Sequence, residues 1–252
     1  MNRGGFRDVE HTEAALRSTR RLLVLGDSFA AGSGVPDYRD RFANLLEDRL
    51  GEKWSMVLLA KPGWHTDRQL EALEGFPLAP SQVLLSYYLN DIEAAAARHD
   101  RTFDLDLSIR PRWLSELVGG TDLGSFVYWR LRRATLRGAG LRYAEFVYAC
   151  FWDEEIWKTH ADQLRELFRV ARRKGALVSV VAFPHLFDLE GSAGPLRRLR
   201  SLLEEERVPF LDVSGFVGGW EPGDLVAGPL DPHPSDALHR EVATRAYPLV
   251  VR

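Results

Sequence analysis

The chain alternates short apolar runs with segments whose apolar residues recur at helical spacing. This alternation is typical of βαβ units, in which crossover helices join parallel strands. Because the apolar runs are nearly continuous, they favour strands that helices cover on both faces. A length of 252 residues, 45% of them hydrophobic, suits one domain over residues 1–252. The predicted strands are Arg21 to Leu25, Ser55 to Ala60, Gln82 to Tyr88, Ala176 to Phe183 and Val208 to Val213.

Helices are predicted between and after these strands, each from apolar residues that share one helical face. One ends before Gly51, and another begins with Thr66 and Gln69, which resemble a capping box. The apolar faces comprise Phe42, Leu45, Leu46 and Leu50; Leu70 and Leu73; Ile156, Leu164, Leu167 and Ala171; Leu196, Leu199 and Leu203; and, after Pro234 and Ser235, Leu238, Val242 and Ala246.

Residues 100–152 break this rhythm, because a crossover needs only about a dozen residues beyond its strands. We interpret them as a helical lid inserted within the domain, whose aromatic residues pack on the core and whose arginines face solvent. A pocket for an anionic or long substrate stays open as an alternative, and docking to a membrane or partner is a third, less favoured one. The residues concerned are Trp113, Tyr128, Trp129, Arg130, Arg132, Arg133, Arg137, Arg142, Tyr143, Tyr148 and Trp152.

Charge and cysteine content narrow the function classes. A formal net charge of -3 at pH 7 provides no basic field, so nucleic acid is not an expected partner. The single cysteine, Cys150, excludes an intrachain disulfide and a cysteine-based zinc site, which suits a reducing compartment. The N-terminal residues lack the apolar segment of a secretory signal, and no apolar run is long enough to cross a bilayer, so a cytoplasmic location is expected.

Polar residues follow the predicted strands at the edge where open parallel sheets bind their ligands. The first strand runs into Ser28, the second into Gly63 and the third into Asn90. Asp231 and His233 follow the last strand. Because the carboxyl ends of parallel strands share one edge, these residues are expected to gather there.

Those residue types are the parts of an acyl-transfer site. A serine hydroxyl becomes an effective nucleophile when a neutral histidine takes its proton, and a carboxylate holds that histidine in the required tautomer. Backbone N–H groups and an asparagine amide stabilise the oxyanion of the tetrahedral intermediate. Ser28 also has a purely structural interpretation, as the N-cap of a helix that follows the first strand.

The sequence resembles the SGNH, or GDSL-type, hydrolase family over Leu22 to about Arg240. Four sequence blocks of that family are present in order: GDS at residues 26–28, KPGWHTD with its glycine at 63, YYLND with its asparagine at 90, and DPHPSDALH from residue 231. The resemblance implies a three-layer αβα sandwich with a five-stranded parallel sheet in flavodoxin-like order. It further implies that Ser28 is the nucleophile, His233 the general base and Asp231 its orienting acid. The Ser28 N–H, the Gly63 N–H and the Asn90 side chain would form the oxyanion hole.

The match departs from the family pattern in two blocks. The third block often has glycine two residues before the asparagine, whereas this chain has Tyr88 there. The last block commonly has two residues between aspartate and histidine, whereas only Pro232 intervenes here. Asp224 and Asp236 therefore stay open as alternative orienting carboxylates. Among the other histidines, His65 and His185 are candidates for substrate binding, and His239 is expected to pack in the last helix or cap a neighbour.

The predicted function is hydrolysis of carboxylic esters, of small-molecule or glycan type, through a covalent acyl-enzyme. Neither a metal nor an organic cofactor is implied, and the glycines around Ser28 do not match a phosphate-binding loop. Two alternatives stay open. One is an O-acyltransferase that uses the same triad on a sugar or natural-product hydroxyl, and the other is a non-catalytic binding protein on the same fold.

Overall fold

A five-stranded parallel sheet forms the centre of the computed structural model, which describes residues 1–103, 140–229 and 231–251. The strands are β1 (Arg20–Gly26), β2 (Trp54–Ala60), β3 (Gln82–Tyr88), β4 (Leu177–Phe183) and β5 (Phe210–Asp212). Their spatial order is β2-β1-β3-β4-β5, and each neighbouring pair is parallel. This is the flavodoxin-like order, and it confirms the predicted fold class.

Helices flank the sheet along the described chain. They are α1 (Glu13–Ser18), α2 (Ser28–Ala31), α3 (Phe42–Leu50), α4 (Thr66–Gly75), α5 (Glu93–Arg98), α6 (140–152), α7 (Glu154–Arg173), α8 (Leu189–Glu205), α9 (Ser214–Val217), α10 (Pro222–Leu225) and α11 (Asp236–Val250). Two 3₁₀ turns span Tyr38–Asp40 and Leu89–Ile92. A short antiparallel pair, β6 (Val226–Gly228) and β7 (Asp231–Pro234), was not predicted. Of the proposed insertion 100–152, residues 104–139 lie outside the described residues.

The two faces of the sheet bury different side chains, as the two-residue period of a strand requires. In β1, Leu23 and Leu25 pack with helices α4 to α8, whereas Leu22 and Val24 pack with α2, α3 and α11. All four side chains are fully buried. The helices therefore form two layers with the sheet between them, and both layers carry apolar core residues.

The predicted capping box of α4 is wrong. His65 takes the N-cap position without a side-chain cap, and the Thr66 hydroxyl has no hydrogen-bond partner among the described residues. Gln69 turns inward instead, and its Nε2 donates to Asp91 Oδ1 at 2.8 Å. The buried carboxylate of Asp91 takes this side chain away from the local helix end, because an unpaired buried charge would cost more than a missing cap.

His160 of α7 provides a test of the core by pH. Its side chain is fully buried, its Nε2 lies 2.9 Å from the Tyr87 hydroxyl, and burial lowers its pKa to about 3. In the unfolded chain, histidine takes up a proton at about pH 6.5. The contribution of the buried, neutral His160 to stability is therefore complete above that pH and is lost as the pH falls towards 3. The His160→Gln variant lacks this titration. The difference in free energy of unfolding between wild type and variant should shrink by about 2 kcal/mol from pH 7.5 to pH 5.

Urea unfolding at the two pH values measures this difference. His99→Gln is the matched control, because it removes an exposed histidine instead of a buried one. A pH-independent difference for His160→Gln would contradict burial of a neutral imidazole.

Candidate active site

Ser28 lies at the turn from β1 into α2. Asp27 is the N-cap of α2, and its Oδ1 accepts the Phe29 N–H at 2.9 Å. The cap that could have explained Ser28 structurally is therefore supplied by its neighbour. Ser28 is the first residue of the helix and is half-buried.

Asp231 and His233 lie together on β7. In an extended strand, residues i and i+2 point to the same side, so a single intervening proline places both side chains on one face. His233 Nδ1 lies 2.6 Å from Asp231 Oδ1, and the His233 backbone N–H donates to the same oxygen at 3.1 Å. Neither Asp224 nor Asp236 makes a hydrogen bond to His233 within the described ranges. The shorter spacing of the last block is thus compatible with an Asp-His pair.

The serine and the histidine are brought to the same place by packing of α2 against β7. The Phe29 ring, next to Ser28, lies with its centroid 5.7 Å from that of the His233 ring. Ser28 and His233 are not hydrogen-bonded to each other in the part of the chain that the structure describes. The tertiary fold therefore places nucleophile and base candidates on contacting elements.

Gly63 and Asn90 occupy the ends of β2 and β3, as predicted. Gly63 has a φ of +77°, in a turn that the Trp64 N–H closes onto the Lys61 carbonyl at 3.1 Å. No described residue accepts a hydrogen bond from the Gly63 N–H. Asn90 is half-buried in the 3₁₀ turn after β3, and its Oδ1 is buried without a hydrogen-bond partner among the described residues. Both residues thus retain donor groups suited to an oxyanion.

The loop after α2 packs tightly against the Asp-His pair at Gly34. This glycine has a φ of +87°, and a Cβ there would lie 2.6 Å from Ala227 Cβ and 3.2 Å from His233 Cβ. Gly34→Ala should therefore displace His233, destabilise the protein by about 1–3 kcal/mol and lower turnover at least about tenfold. Urea unfolding and ester hydrolysis measure the two effects.

Gly51→Ala is the matched control for Gly34→Ala. Gly51 also has a positive φ, of +72°, but a Cβ there would have no neighbour within 4 Å. We expect this control to destabilise the protein through backbone strain alone and to leave the turnover number unchanged. Equal turnover by both variants would contradict the proposed role of Gly34.

Arg7 fixes the same loop from the N-terminal side and was missed by the sequence analysis. Its guanidinium donates to the carbonyls of Gly32, Val35 and Pro36, at 2.7 Å and 3.0 Å for the last two. The loop following Ser28 is thereby tied to the polar N-terminal segment. No local motif signals this contact, because its acceptors are backbone carbonyls distant in sequence.

Two buried carboxyl groups flank the ends of β1 and β3. Burial raises the pKa of Asp27 to about 7, although hydrogen bonds from the backbone N–H groups of Phe29 and Ser28 lower it. Burial also raises the pKa of Asp91, and Asp27 adds to that effect by repulsion. Asp91 Oδ2 accepts the Tyr88 N–H at 3.1 Å. Asp27 and Asp91 therefore act as internal caps for the turns that present Ser28 and Asn90.

His65 and His185 differ in their surroundings. His65 is half-buried and lines a cleft of about 520 Å³ together with Gly63, Glu93, Arg98 and Phe103. His185 has no exposed surface; its Nδ1 lies 2.6 Å from the Tyr88 hydroxyl, and burial lowers its pKa to about 4. The cleft begins at the oxyanion-hole candidate Gly63. A contact of either histidine with a substrate stays a prediction.

His239 lies in α11 and caps a neighbouring helix. Its Nδ1 accepts the backbone N–H of Phe42, the first residue of α3, at 3.2 Å, and burial lowers its pKa to about 3. This neutral, buried histidine is structural. The expectation of a packing or capping role is confirmed.

Among the described residues, no group of three or more His, Cys, Asp or Glu side chains is arranged to hold a metal ion. None of the described helices combines the length and the apolar character needed to cross a bilayer.

Comparison with known proteins places the chain in a family. The sequence profile described as the GDSL-like Lipase/Acylhydrolase family matches residues 24–241, which include Ser28, Gly63, Asn90, Asp231 and His233. The chain belongs to this family. Solved structures share its fold: the crystal structure of TesA aligns with a TM-score of 0.55 at 17% identity, over 92% of this chain and 98% of TesA.

A second solved structure gives a similar result. A protein of the G-D-S-L family from Desulfitobacterium hafniense DCB-2 aligns with a TM-score of 0.54 at 11% identity, over 92% of this chain and 99% of its own. At these identities the likeness shows the fold. A search of curated proteins found no match.

Proposed function

We propose that this GDSL-family protein hydrolyses carboxylic esters, with Ser28 as nucleophile, His233 as general base and Asp231 as its orienting acid. The observation that carries the proposal is the 2.6 Å contact between His233 Nδ1 and Asp231 Oδ1 on a strand that packs against α2. The contact fixes the ring so that Nε2 is the nitrogen available to a serine. Family membership supports the hydrolase class.

In the proposed first step, Ser28 Oγ attacks the ester carbonyl and its proton passes to His233 Nε2. Asp231 stabilises the imidazolium without taking the proton. The negative charge of the tetrahedral intermediate lies on the former carbonyl oxygen, where N–H groups of Ser28 and Gly63 and the Asn90 amide donate to it. His233 then gives its proton to the leaving alcohol, and an acyl-serine ester remains.

The second step reverses these roles with water. His233 takes a proton from water while the water oxygen attacks the acyl-serine carbonyl. His233 then gives this proton to Ser28 Oγ as the bond to the acyl group breaks, which restores the hydroxyl and releases the carboxylic acid. If a sugar or natural-product hydroxyl replaced water, the same residues would catalyse O-acyl transfer. Exclusion of water from the acyl-enzyme decides between these reactions.

Hydrolysis of a p-nitrophenyl ester series, from acetyl to long acyl chains, tests the proposal, with a fluorophosphonate probe for Ser28 run in parallel. We expect turnover and a single labelled serine, with the chain-length profile defining the acyl preference. Labelling of Ser28 without ester turnover would contradict the proposed hydrolase activity and favour an acyltransferase. A folded protein with neither turnover nor labelling would favour the binding-protein alternative.

A further inference from the structure

We propose that Tyr143, on α6, is a positioning residue that fixes the Asn90 amide in the orientation that an oxyanion requires, with Glu93 anchoring the tyrosine hydroxyl. This inference rests on the proposed function, because it assigns Asn90 to the oxyanion hole. It also gives the described end of segment 100–152 a role at the site.

The first argument is the placement of Asn90 and Glu93. Asn90 lies in the 3₁₀ turn after β3, and the Glu93 N–H that ends this turn donates to the Asn90 carbonyl. Side chains three residues apart nearly eclipse each other in a 3₁₀ helix. The side chains of Asn90 and Glu93 therefore leave the turn on the same side.

The second argument is the position of the Tyr143 hydroxyl. It donates a hydrogen bond to Glu93 Oε1, which brings it over the turn that carries Asn90. The tyrosine ring is held by its own neighbours, with the centroid of Phe103 at 5.4 Å and that of His185 at 6.0 Å. The hydroxyl is thus fixed by contacts at both the ring and the oxygen.

The third argument is the hydrogen-bonding capacity of an asparagine side chain, which has two N–H donors and one acceptor oxygen. Asn90 Oδ1 is buried and has no partner in the described ranges, so no acceptor contact there fixes the rotation of the amide. The Tyr143 hydroxyl donates its hydrogen bond to Glu93, and its oxygen can still accept one. Burial and Glu93 raise the pKa of Tyr143, and a hydrogen bond from the Asn90 side chain opposes this rise.

The proposed chain runs from the Asn90 amide through the Tyr143 hydroxyl to Glu93, and its observed part is the bond from the hydroxyl to the carboxylate. In this proposal, one amide N–H of Asn90 donates to the tyrosine oxygen, and the second is left to donate to the oxyanion. A carboxylate at the end of such a chain polarises the hydroxyl and strengthens the bond from the amide. Loss of the Tyr143 hydroxyl would leave the amide free to rotate away from the productive orientation.

The test is a double-mutant cycle between Tyr143→Phe and Asn90→Ala. Tyr143→Phe keeps the ring and removes the hydroxyl, so we expect kcat on the best p-nitrophenyl ester to fall about tenfold with KM unchanged. Asn90→Ala should lower kcat about 100-fold or more. In the Asn90→Ala background, Tyr143→Phe should have no further effect, because the group that it positions is absent.

Tyr148→Phe is the matched control. Tyr148 also belongs to α6 and also donates to a carboxylate, Asp188 Oδ2 at 3.0 Å, but Asp188 caps α8 and lies outside the turn that carries Asn90 and Glu93. This variant should keep the wild-type kcat. Equal losses from Tyr143→Phe and Tyr148→Phe would point to a general effect of α6 and overturn the inference.

The rate of Ser28 modification by the fluorophosphonate provides a second readout, because the phosphoryl oxygen occupies the oxyanion position. Tyr143→Phe should slow this rate about tenfold. If the wild type is active and Tyr143→Phe is labelled and hydrolyses esters at the same rates, the inference is overturned but the proposed function is not. Additive losses of Tyr143→Phe and Asn90→Ala would also overturn it. A folded wild type with neither activity would overturn the proposed function, and the inference with it.

Discussion

The Ser28→Ala variant should lose ester hydrolysis, with kcat/KM falling about 10⁴-fold or more. The covalent acyl-enzyme cannot form without the hydroxyl, so only the oxyanion donors and substrate binding contribute to the residual rate. Ser28 is half-buried at the start of α2, where Asp27 provides the helix cap. The substitution therefore removes a nucleophile without removing a cap, and the free energy of unfolding should change by less than about 1 kcal/mol.

Ser33→Ala is the control within the same loop. Its backbone N–H donates to the Ser28 carbonyl at 2.9 Å, a bond that alanine retains. This variant should hydrolyse esters at the wild-type rate and should still be labelled by the fluorophosphonate. Labelling that persists in Ser28→Ala, or hydrolysis that survives the substitution in purified protein, would show that another residue is the nucleophile.

The Asp231→Asn variant should reduce kcat about 10⁴-fold while KM stays within about threefold of the wild-type value. An asparagine keeps the shape of the side chain and offers an amide N–H to the ring, which favours the tautomer whose proton is on Nε2. In that tautomer, His233 cannot take the proton of Ser28. The contact that changes is the one between His233 Nδ1 and Asp231 Oδ1, now 2.6 Å.

Asp224→Asn and Asp236→Asn test the alternative carboxylates directly. Asp224 lies in α10, where its carbonyl accepts the Ser235 hydroxyl, and Asp236 is the first residue of α11. Both variants should retain the wild-type kcat, with a small loss of stability for Asp236→Asn at the helix N-terminus. A large loss of kcat in either, with Asp231→Asn active, would reassign the orienting acid.

The elements that could be predicted best are those set by local pattern. The strand β3 has the predicted bounds, β1 is one residue longer than predicted at each end, and β2 is one residue longer at its start. The predicted C-terminal cap at Gly51 is also confirmed, because a glycine ends a helix through its own backbone conformation. Such features depend on neighbours in sequence, which the sequence shows.

The features that could not be predicted depend on partners far along the chain. Gln69 bonds to Asp91, twenty-two residues away, instead of completing a local capping box. The β6–β7 pair is short and contains two prolines, so its sequence does not show the alternation of apolar and polar residues that predicts a strand. The Tyr143–Glu93 bond joins α6 to the end of the 3₁₀ turn after β3, fifty residues earlier. Each of these contacts is selected by burial in the assembled fold.

For the candidate site, the sequence by itself determined which residue types stand at the strand ends, because apolar runs and their endpoints are local. It thereby predicted Ser28, Gly63, Asn90, Asp231 and His233 as the site residues. Only the tertiary structure decided which carboxylate pairs with His233, because that choice depends on β7 being extended and on its packing against α2. By spacing along the chain, Asp224, Asp231 and Asp236 could each reach His233. In the extended strand β7, alternate side chains point to the same face, so Asp231 lies beside the histidine.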